Sequence, residues 1–190
     1  MAERGFMEAR EAEGRVQAGE TTIDAEARRY TLAELGEWLR HTRAGLLAVT
    51  TTWSDAQLSA QPAGGSGENA WSASEAITHL VATENWYLLH MTRLLGRKEH
   101  FDVMVRGRGD LARNGVPGAQ LTAELRATTD RMLSEVAAIP ADADLNATRD
   151  STFFGDLSLR GWVLLAVIHD MLHYDQISQT AAANGFAMPA

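Results

Sequence analysis

The chain is predicted to be all-α, a four-helix bundle. Three observations carry that expectation. Apolar residues recur near the 3.6-residue period in four long stretches. No stretch alternates with period two for long, so no convincing strand is expected. Two of the four stretches open with Ser or Thr followed three residues later by Glu, which marks a helix start.

The elements follow in order. Residues 1–29 are rich in Glu, Arg and Ala and are broken by Gly5, Gly14 and Gly19. They read as a loosely attached N-terminal extension, helical in part, disordered alone or packed on a partner subunit. Residues 30–190 form the bundle domain. The first long helix starts at the capping box Thr31-Leu32-Ala33-Glu34 and runs through Leu35, Leu39, Leu46, Val49 and Trp53. A second start follows at Ser54, where Gln57 can reach back and Trp53 can staple to Leu58. The segment from Gln61 to Gly67 is a loop.

The second long helix starts at Ser72-Ala73-Ser74-Glu75 and stops at Gly96. A long connection over 97–119 then carries Arg97, Lys98, Arg106, Arg108 and Arg113. Its length is that of a binding loop, or of a solvated crossover that permits a parallel neighbour. The third helix spans about Gln120 to Ala138, and Pro140 ends it. The stretch 148–155 is irregular or briefly extended around Phe153 and Phe154. Ser158 caps the last helix, which ends near Asn184-Gly185.

Composition excludes several classes of function. The chain has no cysteine, so disulfides, thiolate metal sites and a Cys nucleophile are absent. Net charge is −8 and no basic tract dominates, so no nucleic-acid partner is expected. No apolar run approaches the ~20 residues of a membrane span, and the N-terminus lacks a signal-peptide core, so a cytoplasmic location is expected.

Chemistry concentrates in the run from Trp162 to Ile177. His169 and His173 lie four apart, so their imidazoles share one helix face about 6 Å apart along the axis. Such a pair can grip one divalent ion. A third histidine, His79, lies in another amphipathic segment, and three neutral imidazoles with an open position are the ligand set of a reactive metal site. With six histidines in 190 residues, an i,i+4 pair also arises by chance, and a buried histidine is often only a hydrogen-bonded core residue. His41, His90 and His100 are not expected to be ligands.

Three segments together resemble the DinB-like superfamily, which includes the mycothiol- and bacillithiol-dependent enzymes. The first runs from Leu46-Leu47 to Trp53-Ser54-Asp55-Ala56-Gln57-Leu58. The second runs from Trp71 through His79-Leu80 to Glu84. The third is Ile168-His169-Asp170-Met171-Leu172-His173-Tyr174-Asp175-Gln176-Ile177, an H-x-x-x-H-x-x-Q-I ending. They frame residues of about 30–185. The resemblance implies a four-helix bundle of the DinB-like type, with His79, His169 and His173 holding a metal between the second and fourth helices. It also implies a homodimer and, by analogy with characterised relatives, a thiol-dependent S-transferase. Residues 1–29 depart from the family pattern and inherit nothing.

Imidazole ligands suit Zn²⁺ or Ni²⁺, with Fe²⁺, Co²⁺ or Mn²⁺ also admissible. A ligating histidine usually gives its second N–H to a carboxylate or carbonyl. Glu84, on the Leu80–Leu88 stripe, is the candidate and needs a partner if buried. Asp170 and Asp175 read as surface residues. Gln176, seven residues after His169, is placed either to meet a metal-bound ligand or to tie two helices together. Trp86 and Trp162 are placed to wall a substrate pocket or to fill the core. The expected activity is transfer of a small-molecule thiol to an electrophile. The alternatives are hydrolysis by metal-bound hydroxide and a non-enzymatic, stress-related bundle. The His169-Asp170 dyad suggests a phosphohydrolase only weakly, since the one downstream Asp, Asp175, is too close on the same helix.

Overall fold

The computed structural model describes residues 2–97 and 112–189. Four long helices, α3 (Leu32–Thr52), α5 (Ala73–Leu94), α6 (Gly118–Ala137) and α7 (Leu159–Asn184), form the bundle. Helices α3 and α5 each pack against both α6 and α7, which puts α3 and α5 on opposite corners. Much of the predicted connection between α5 and α6, with Lys98, His100, Arg106 and Arg108, lies outside the described residues.

Local chemistry sets the helix ends as the sequence predicts. The Thr31, Ser54 and Ser72 hydroxyls each accept from the N–H three residues on, and Glu34, Gln57 and Glu75 reach back to the cap N–H groups. Ser54 starts the short helix α4 (Asp55–Ser59), and Trp53 and Leu58 are buried in one cluster. Ser158 caps α7, whose other end stops at Gly185, with φ 71°. That left-handed conformation suits a residue without a Cβ.

Two expectations are corrected. The N-terminal segment is not loosely attached. It forms α1 (Ala2–Gln17) and α2 (Ile23–Ala27), and both pack on the bundle of their own chain. Ala9 and Ala12 are fully buried, since small side chains let α1 approach closely. Arg10 forks onto both Asp175 carboxylate oxygens at 2.6 Å, and Arg15 holds the buried Glu26 at 2.6 Å. The Asp24 carboxylate accepts from the Ser158 N–H at 2.7 Å, docking α2 on the start of α7. It occupies the space a Cβ at Gly161 would need. The second correction is a hairpin, β1 (Thr148–Asp150) with β2 (Asp156–Ser158), paired antiparallel where little strand was expected. Phe153 at its tip is 64 % exposed.

The core falls into two clusters. One is built on Leu35, Leu39, Leu88, Met132 and Trp162, the other on Leu46, Leu58, Ile77, Leu125 and Ile177. No described helix is long and apolar enough to cross a membrane.

Candidate metal centre

The α7 register brings His169 and His173 to one face, and that face meets α5 at His79. The Nε2 atoms of His79 and His169 are 3.2 Å apart, and those of His173 and His169 are 3.0 Å apart. All three ligand atoms lie within 4.8 Å of one another. Two nitrogens each ~2.1 Å from a shared ion are about 3.0 Å apart at a right angle and about 3.4 Å at the tetrahedral angle. The two close spacings fall in that range, so the three imidazoles could hold a metal ion.

On His173 and His169 the other ring nitrogen is held as a metal ligand requires. His173 Nδ1 lies 2.7 Å from Gln176 Oε1, and the Gln176 amide donates in turn to the Glu68 carbonyl. A carboxamide oxygen only accepts, so Nδ1 carries the proton and Nε2 presents its lone pair. His169 Nδ1 lies 3.0 Å from the Tyr87 hydroxyl, which can accept from it in the same way. Burial pushes the His173 imidazole below its usual range, against the pull of its Gln176 bond, and so favours its neutral form. Trp71 stacks on His173 with ring centroids 5.8 Å apart and lies tilted against His79 at 4.9 Å.

The imidazoles open into a cleft of about 890 Å³. All three line it, and Arg10, Glu13 and Gln17 of α1 line it with them. Phe154 and Leu172 give it an apolar lip.

Of the remaining predicted residues, Asp175 lines the cleft and the others lie elsewhere. Glu84 is fully buried but orients no histidine; it pairs with Arg43 at 2.8 Å. Trp86 and Trp162 do not line the cleft. Trp162 is fully buried and stacks on His90 at 4.5 Å, with Trp86 edge-on at 5.2 Å. Asp170, read as a surface residue, is fully buried and pairs with Arg43 at 2.7 Å. Asp175 is half exposed and held by Arg10. His41 and His90 stand outside the three-histidine group.

Sequence reasoning missed Tyr87 and Trp71 as site residues. Tyr87 lies eight residues beyond His79, two turns along the same helix, and that spacing was a usable signal. Trp71 precedes the helix cap, where no periodicity points to its partner.

The fold and this site define a four-helix-bundle protein with an open three-histidine pocket. A model of the DinB superfamily matches residues 38–177, and the chain belongs to that superfamily. The fold is shared with a solved structure described as TT2238, a four-helix bundle protein. That likeness has a TM-score of 0.54 and 25 % identity, over 78 % of this chain and 99 % of the other. No curated protein matches the chain.

Proposed function

We propose that this protein binds one divalent metal through His79, His169 and His173 and uses it to activate a small-molecule thiol toward an electrophile. The observation that carries this reading is the convergence of three imidazole Nε2 atoms on the floor of an open cleft. A structural site is normally closed by four protein ligands, whereas three leave room for a reactant. Held by neutral ligands, a divalent ion would keep its double charge and lower the pKa of a coordinated thiol or water. Zn²⁺ or Ni²⁺ suits the ligand set best, with Fe²⁺ or Mn²⁺ as alternatives.

The chain's own residues prepare this chemistry. Gln176 and Tyr87 hold two imidazoles in position by their outer nitrogens. Trp71 covers His79 and His173 on one side and limits water there. The chain has no cysteine, so a reacting sulfur must arrive with the substrate. The cleft volume suits a ligand of drug-like size, lying between α1 and the imidazoles.

The test is consumption of an electrophile such as monochlorobimane by metal-loaded protein, with and without cysteine, glutathione or a glucosaminyl-cysteine thiol. Thiol-dependent conjugation that a chelator abolishes is the expected result. Metal-dependent loss of ester or amide substrates without thiol would assign hydrolysis instead. No conjugation with any of these thiols would overturn the transferase reading.

A further inference from the structure

Arg43 lies on α3, which supplies no histidine to the centre, yet it joins the two helices that do. Its Nε meets Asp170 Oδ2 of α7 at 2.7 Å, and its Nη2 meets Glu84 Oε2 of α5 at 2.8 Å. Thr42 Oγ1 donates to the same Asp170 oxygen at 2.9 Å. The Arg43 side chain is 2 % exposed and both carboxylates are fully enclosed. Helices α3 and α5 occupy opposite corners of the bundle, so this guanidinium spans its diagonal.

Stability alone does not account for such a cluster. Removing ions from water costs several kcal/mol each, and well-packed apolar side chains often replace buried triads with no loss of stability. A guanidinium offers what an apolar cluster lacks, a rigid planar fork: one arm hydrogen-bonds Asp170 and another holds Glu84 at ion-pair distance. The partners sit where the fixing counts. Asp170 adjoins His169 in the chain, and Glu84 lies five residues beyond His79. Sliding α5 along α7 would break one arm of the fork and change the Nε2 spacing together.

We propose that Arg43 is a positioning residue for the three-histidine centre. It locks the register of α5 against α7, and so sets the distance between the His79 nitrogen and the His169–His173 pair. This rests on the metal reading of the centre.

The test is Co²⁺ affinity and visible spectrum, measured beside the melting temperature of metal-free protein. The variants are the apolar triple Arg43→Met with Glu84→Leu and Asp170→Val, and the milder Thr42→Val. The expected result for the triple is a metal-free melting temperature near wild type, Co²⁺ affinity about 10- to 100-fold weaker, and an altered ligand-field spectrum. Thr42→Val, close in shape and expected to fold, is predicted to lose a few-fold, below the roughly 10-fold lower end of such effects. A folded triple with wild-type Co²⁺ affinity and spectrum overturns the proposal. If the triple fails to fold, unchanged affinity in Thr42→Val overturns it. Wild-type protein that binds no Co²⁺ sinks the metal reading itself, and the proposal with it.

Discussion

Helices α5 and α7 carry two polar clusters of opposite character. In one, His79, His169 and His173 bring three nitrogens within 4.8 Å of one another beside an open cleft. In the other, Glu84 and Asp170 close around Arg43 away from solvent. His169 and Asp170 are consecutive in the chain, but about 100° separates them around the helix. One residue lines the cleft and the next faces the bundle interior. The contrast gives a criterion that residue type alone does not. The sealed cluster pairs opposite charges, while the open one gathers groups of one kind that could share a cation.

The two clusters should respond differently to damage. Arg43→Met leaves two carboxylates enclosed without their counter-charge, and burial already pushes both carboxyls up. A loss of about 3–5 kcal/mol in denaturant unfolding is expected. A loss below about 1 kcal/mol would show that water reaches the cluster, and would erase the contrast.

Gln176→Leu strikes the open cluster. It removes the acceptor that holds His173 Nδ1. Metal affinity is expected to fall about 10- to 100-fold, with the melting temperature of metal-free protein nearly unchanged. Equal affinity in a calorimetric titration would reduce Gln176 to a link between helix α7 and the Glu68 loop.

His90 sharpens the comparison from a third position. It shares α5 with His79 but lies against Trp86 and Trp162, with no histidine facing it among the described residues. Burial, reinforced by Arg149 and Arg93 and opposed by Asp150, pushes it down to about 4. The unfolded chain then takes up a proton at His90 near pH 6.5 that the folded chain refuses until about pH 4. Its contribution to stability is present above pH 6.5 and lost as pH falls toward 4. Allowing for solvent near the charged neighbours, the loss is about 1–2 kcal/mol. His90→Phe should flatten stability against pH across that window; an unchanged slope would show that His90 titrates freely in the fold.

Legibility followed the range of the interactions. The caps at Thr31, Ser54, Ser72 and Ser158 are local hydrogen bonds, and four or fewer residues announce each. The His169–His173 face is equally local, because helical periodicity alone creates it. Asp170 was misread because its burial depends on Arg43, 127 positions away, and nothing in the α7 run encodes that partner. Helix α1 was misread because its anchoring face uses alanines and ion pairs in place of large apolar residues. Glu84 needed a partner, as its apolar stripe required, but the stripe could not say that the partner would be an arginine of α3 rather than a histidine.

The central claim is that one ion sits among three imidazoles drawn from two helices. Elemental analysis of protein prepared without a histidine tag tests it most directly, with wild type beside His79→Ala. The account predicts about one divalent ion per wild-type chain, lost from His79→Ala while its circular dichroism stays helical. Wild-type protein that retains no ion after metal loading and dialysis, or a variant that retains as much, would contradict it.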